Sequence, residues 1–238
     1  MIWCLVNDLK KLLLIATVPA LALLAGDLST QTVSATQTAR FNVSAAGSIR
    51  LQNSFGEVDI DGWDRPEVEV TVVRSSEHFY EAKDHAEAQR RLESVQITTK
   101  QNGNDVVIST VYPSLNRFAH PLSRRSDIDI SYRIQAPRAS KLIIDHNNGG
   151  VYVSNITADI HATVINGQIT LTLAAGQYAI DARCALGHVY SDFEGRDQSR
   201  WVLGDEFDLQ STARAANLYL RVRVGDIIIL KRNGPPTD

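Results

Sequence analysis

Cysteine is scarce in this chain, and the two present, Cys4 and Cys184, exclude a disulfide framework. Cys4 lies in an apolar amino-terminal leader. Cys184 takes an inward position of an alternating stretch, so the mature chain carries one buried thiol. A charge excess of one sign is lacking as well. The 24 basic and 27 acidic side chains give a formal net charge of −3, and removal of residues 1–26 makes it one unit more negative. Nucleic acid and anionic membrane surfaces are thereby disfavoured as general partners, because phosphate attraction needs a clustered positive excess. No apolar run is long enough to span a bilayer: the longest, Leu12 to Gly26, is interrupted by Pro19 and falls short of the roughly 20 residues required. Gly-rich phosphate loops, a serine nucleophile elbow and a cysteine–histidine couple are all missing. The sequence therefore announces no reaction, no catalytic residue, no metal site and no cofactor.

What is present at the amino terminus reads as an export signal. Lys10 and Lys11 precede Leu12-Leu13-Leu14-Ile15-Ala16-Thr17-Val18, and small residues follow, with Ala20-x-Ala22 as one cleavage site. Leu23-Leu24-Ala25-Gly26 is similar to the start of a lipobox, but Asp27 stands where the lipidated cysteine would be required. Cleavage of residues 1–26 is the reading adopted, with retention as an uncleaved anchor the competing one. In that case membrane contact would come only through this segment. Residues 27–40 are rich in Ser, Thr and Gln and poor in large apolar groups, and read as a flexible tether.

The most informative pattern is a recurring phrase of alternating apolar residues, a glycine, and further alternation. The copies are Ile49-x-Leu51…Gly56-x-Val58-x-Ile60, Leu142-x-Ile144…Gly149-x-Val151-x-Val153, Ile160-x-Ala162-x-Val164…Gly167-x-Ile169-x-Leu171, Ile180-x-Ala182-x-Cys184…Gly187-x-Val189 and Leu218-x-Leu220-x-Val222…Gly225-x-Ile227-x-Ile229. The glycines step by about 20 residues, with a double step from Gly187 to Gly225 that implies a degenerate rung near Asp205. Such a period, built of strand-type alternation, predicts an all-β chain: a short right-handed β-solenoid, β-helix-like, over residues 41–230 with one accessory helix. An antiparallel β-sandwich is the alternative.

Two inserts interrupt the pattern. Residues 76–93 change period: Ser76 reads as an N-cap, and His85, Ala88, Leu92 and Val95 fall on one stripe, so a helix is expected there, packed over an end of the sheet. Asn102-Gly103 signals a hairpin. Residues 112–126 have no period and read as a loop, and residues 231–238 as a tail.

Tyr132-Arg133-Ile134-Gln135-Ala136-Pro137-Arg138, followed by Leu142-Ile143-Ile144 and the Gly-x-Val or Gly-x-Ile rungs, resembles the bacterial putative-adhesin domain family of unknown function. The resemblance covers roughly residues 40–230. It implies a secreted or envelope-associated single-sheet solenoid and brings no catalytic residue with it.

Candidate site residues follow from these placements. In the 112–126 loop, Tyr112, Arg117, Phe118, His120, Arg124 and Arg125 combine aromatic and cationic groups suited to sugars or anionic partners, and form the binding candidate. Glu57, Asp59 and Asp61 share one strand face, as do Asp127 and Asp129. Paired carboxylates serve glycoside hydrolysis or calcium binding, and equally well keep a sheet soluble. His161 and His188, with Asp181 or Asp192, are weighed as zinc ligands but lack a short ligand spacing. His146 points inward and reads as a hydrogen-bonded core histidine. The expectation is an exported, non-catalytic, adhesin-like binding or scaffold module, periplasmic, cell-surface or extracellular, whose partner is an envelope protein or glycan. A polysaccharide hydrolase or lyase on a β-helix is the alternative.

Overall fold

The computed structural model describes residues 33–44, 47–76, 85–111, 128–174, 176–199, 204–211 and 215–232. All five glycine-centred phrases are strands, and each is continuous, or nearly so, across its glycine. They are β2 (Ser48–Phe55) with β3 (Glu57–Trp63), β8 (Lys141–Ser154), β9 (Ile160–Leu173), β10 (Tyr178–Leu186) with β11 (Val189–Ser191), and β14 (Ala216–Val224) with β15 (Ile227–Lys231). They pair side by side, parallel and in register. Before the glycine, Leu142 faces Ile160 and Ile160 faces Leu218. After it, Val151 faces Ile169 and Ile169 faces Ile227. The alternating apolar residues of both halves are buried in a single core.

The glycines form a line of their own. Gly149 and Gly167 sit at φ +120° and +143°, in the region that side chains with a Cβ avoid. Each strand also lies against the next with no room to spare: a Cβ on Gly167 would come within 1.9 Å of the carbonyl oxygen of Gly149. The glycine thus allows both the local bend and the close stacking of neighbouring bends.

The spatial order of the strands departs from sequence order. β14 lies between β9 and β10, parallel to both. The expected rung near Asp205 is instead β13 (Asp205–Leu209), antiparallel to β10 and to β12 (Arg196–Ser199). The double glycine step is therefore a hairpin excursion to the sheet edge followed by a return. Physically, β13 buries only Phe207, whereas β14 buries Leu218, Leu220 and Val222. The strand with more apolar surface takes the interior place, and the acidic one takes the periphery.

Antiparallel strands extend the sheet beyond the parallel core. β4 (Glu67–Ser76) joins β7 (Ile128–Pro137), which lies parallel to β3. β5 (Gln96–Asn102) and β6 (Asp105–Val111) form the hairpin announced by Asn102-Gly103, and β6 runs parallel to β2. The fold is all-β, with a mixed sheet and, among the described residues, one helix.

Two expectations are corrected. The tether at 27–40 is a strand from Ser34 onward: β1 (Ser34–Asn42) pairs with β4 along its whole length. An edge strand needs backbone hydrogen bonds on one side only, and β1 gets by on a partly buried Phe41. Of the expected helix, residues 77–84 lie outside the described residues and α1 spans His85–Ser94; Ser76 belongs to β4, where its hydroxyl accepts from the Val33 amide at 3.0 Å, and is not an N-cap. Ala88, Leu92 and Val95 are buried as the stripe requires. α1 packs on β1 and β4, at one end of the sheet, and Arg74 donates to the Leu92 and Val95 carbonyls at its carboxyl end. The leader at 1–26 and the loop at 112–126 lie outside the described residues.

Candidate functional site

Parallel strands in register place one outward side chain per strand in rows that cross the sheet, about 4.8 Å apart. On the half preceding the glycines, one row reads Arg50, Ile143, His161, Tyr219, Asp181 and Asp208. The row two residues further on reads Gln52, Asp145, Thr163, Arg221, Arg183 and Glu206. Alternation dictates that these residues face outward, because their neighbours Leu142, Ile144, Ala162, Leu218 and Leu220 are buried.

Contacts knit the middle of these rows together. The His161 and Tyr219 rings stack with centroids 4.4 Å apart and planes at 23°. Arg221 lies over the Tyr219 ring, 3.7 Å from its centroid. Its guanidinium also donates to the Asp181 carboxylate at 2.6 Å and to the Asp181 carbonyl at 2.8 Å. Arg183 bridges Asp181 at 3.1 Å and Glu206 at 2.9 Å. Partial burial pushes the Asp181 carboxyl up, but hydrogen bonds and charge from Arg221 and Arg183 outweigh it and hold the group below the usual carboxylate range.

Grooves flank this stacked strip on both sides. One, of about 390 Å³, lies between Arg50, Lys141, Ile143 and Asp145 on one side and Asp159, His161 and Asn217 on the other. The second, of about 420 Å³, includes Ala179, Asp181, Asp208 and Gln210. Asn217 and Tyr219 border both, and Asn217 is held by its amide and side chain to Asp159 Oδ1 at 2.8 and 3.3 Å.

The sequence candidates are distributed as follows. Tyr112, Arg117, Phe118, His120, Arg124 and Arg125 lie outside the described residues, as does Asp127. Glu57, Asp59 and Asp61 do share one face of β3. Asp61 is engaged by the Ser154 hydroxyl and the Asn155 amide, both at 2.6 Å, and Glu57 and Asp59 are exposed. Asp129 is exposed on β7, on the far side of β3 from Asp61's partners. His161 and His188 have separate partners: His188 Nδ1 is 3.0 Å from Asp205, and His161 lies on Tyr219. Among the described residues no group of three or more His, Cys, Asp or Glu side chains is placed to hold a metal ion. His146 is buried as expected, with Nδ1 2.8 Å from the Ser54 hydroxyl. Cys184 is buried and donates to the Gly225 carbonyl.

Tyr219 and Arg221 were not among the sequence candidates. Their outward direction follows from the alternation of Leu218, Leu220 and Val222, but their proximity to His161 depends on β14 entering between β9 and β10, which no local signal encodes.

No protein-family model matches the chain, and no curated protein sequence matches it. Among solved structures, it is similar to a putative cell adhesion protein from Clostridium sporogenes, with a TM-score of 0.50 and 9% identity over 85% of this chain and 100% of that one. At that identity the likeness concerns the fold alone. A putative adhesin from Bacteroides fragilis, with a TM-score of 0.24 and 9% identity, covers 85% of this chain and 99% of that one. A putative lipid binding protein from Parabacteroides distasonis, with a TM-score of 0.22 and 8% identity, covers 83% and 97%. Their shapes overlap too little with this chain to bear on its site.

Proposed function

We propose that this protein is an exported, non-catalytic, adhesin-like module that binds an envelope protein or glycan and works in the periplasm, at the cell surface or outside the cell. The observation that carries this reading is the outward strip of His161, Tyr219 and Arg221 between two open grooves. It is an extended recognition surface of aromatic and hydrogen-bonding groups, of the kind that contacts sugars and polar partners. The basic-then-apolar leader supports export, and the fold shared with a structure named as a cell adhesion protein agrees with an envelope role. The rungs make a short solenoid in this reading, with its flat outer face as the working surface. The 112–126 loop, with Arg117, Phe118, Arg124 and Arg125, supplies a second contact.

The test is adherence of the mature chain to isolated cell envelopes. Four variants are compared: Tyr219→Ala, the combined alanine variant of Arg117, Phe118, Arg124 and Arg125, Asp145→Asn with Asp159→Asn, and Asp59→Asn with Asp129→Asn. Adherence that falls in either of the first two, with no reducing ends released from polysaccharide by any form, supports the module. Release of reducing ends by the wild type that is lost in a carboxylate variant would establish the hydrolase or lyase instead.

A further inference from the structure

We propose that the groove between His161 and Arg50 is a subsite for one acidic pyranose unit, a carboxylated sugar ring inserted between the imidazole and the guanidinium. The inference rests on the envelope-binding reading above and names the ligand class for one part of that surface.

The argument begins with the row Arg50, Ile143, His161, Tyr219. Where adjacent strands both carry a ring, the rings stack at about the strand spacing, as His161 and Tyr219 do at 4.4 Å. Tyr219 covers one face of the imidazole. The opposite face looks along the row toward Ile143, whose short, half-buried side chain does not continue the stack. Arg50 stands one strand beyond. His161 and Arg50 are thus two strand spacings apart, about 9.6 Å, and a single ring seated over Ile143 would contact both. The groove at this place has a volume of about 390 Å³, at the small end of ligand sites and suited to one compact unit.

Charge selects among rings. Arg221 and Arg183 on the same face are already neutralised by Asp181 and Glu206. Among the described residues Arg50 and Lys141 make no side-chain hydrogen bond or ion pair, and both are exposed and line the groove. Two uncommitted cations beside an open stacking position call for a carboxylate on the ligand. Asp145 is likewise uncommitted, and Asp159 holds Asn217 through one oxygen only. These carboxylates accept from ring hydroxyls, which a pyranose has and a flat apolar ring lacks.

The experiment titrates the full-length mature chain with tetragalacturonate, using maltotetraose as the neutral control, by calorimetry and by amide chemical shifts. Tetragalacturonate should bind at least tenfold more tightly than maltotetraose, weaken as salt is raised, and shift amides of residues 50, 141–145 and 159–161. Ile143→Tyr places a ring in the open position and should cut affinity at least tenfold, at an outward strand site where tyrosine is well tolerated. Arg50→Gln with Lys141→Gln should abolish the preference for the acidic ligand. Equal affinity for the two sugars, or shifts confined to other residues of the wild type, would overturn the subsite, and neither depends on a variant folding. If Ile143→Tyr and the wild type bind tetragalacturonate alike, the subsite is also overturned. Envelope adherence that persists while tetragalacturonate fails to bind removes the subsite and leaves the module standing; loss of adherence in Tyr219→Ala together with tetragalacturonate binding by the wild type supports both.

Discussion

His146 shows how a single polar residue is carried inside an apolar core. Its Nδ1 is matched to Ser54, and its Nε2 has no hydrogen-bond partner among the described residues. Burial pushes its pKa down to about 4, and the nearby carbonyls of Asn148, Gly56 and Gly149 offset this only in part. The folded chain therefore resists a proton that the unfolded chain accepts near pH 6.5. As pH falls from about 6.5 to 4 the unfolded state binds more protons, and stability drops by about 3 kcal/mol on this account. His146→Gln should flatten that part of the profile, measured as the difference between wild-type and variant urea unfolding at pH 7 and pH 4. Parallel profiles would show that His146 is not the group responsible. Register is tested at the same scale. Ile169 is fully buried and its neighbour Gln168 reaches outward to the Tyr152 hydroxyl. Ile169→Asp should cost more than about 4 kcal/mol, and Gln168→Asp about 1. Equal costs, read from denaturant midpoints, would mean that the strand is turned over.

The strand element depends on its glycine for two separable reasons, and a pair of substitutions distinguishes them. Gly103, at φ +62° in the β5–β6 turn, has nothing within 4 Å of the place a Cβ would occupy, so Gly103→Ala should cost only the backbone strain, about 1 kcal/mol. Gly167→Ala adds a clash with the Gly149 carbonyl and should cost several kcal/mol more. Thermal unfolding of the two variants measures the difference, and similar losses would remove close stacking from the explanation. These glycines were legible in the sequence because alternation on either side marks where a strand must bend. β1 was not. Its Ser, Thr, Gln and Ala residues leave a weak pattern, and only Phe41 reaches the core, so its pairing with β4 is carried by the backbone. Ser76 was misread as an N-cap because its hydroxyl serves the Val33 amide instead. For the site, alternation placed His161 on the outer face, and the same alternation of buried Leu218, Leu220 and Val222 turns Tyr219 and Arg221 outward, although neither was singled out. Their contact was hidden because parallel pairing joins residues 58 positions apart in the row from His161 to Tyr219 with no local trace.

At the scale of the whole molecule, the order in which the parallel strands pair decides which of them is exposed at the edge. Pairing in sequence order would leave the last repeat, β14 with β15, at the end of the parallel array. In the observed order β14 is hydrogen-bonded to β9 on one side and β10 on the other, and β12 is paired only to β13 among the described strands. Backbone amides paired on both sides of a buried strand open only with the larger unit, whereas edge strands fray alone. Amide hydrogen exchange should therefore find Leu218–Val222 among the most protected segments despite their place near the carboxyl terminus, and Arg196–Ser199 among the least. The buried thiol gives an independent reading, since Cys184 on β10 donates to the Gly225 carbonyl that follows β14. Burial pushes this thiol up, so it should stay unreactive toward a disulfide reagent until β14 leaves. Its modification rate should then match the exchange rate of Leu218–Val222. Rapid exchange in Leu218–Val222, as fast as in Arg196–Ser199, would place β14 at the edge and separate Tyr219 from His161, taking the proposed recognition strip with it.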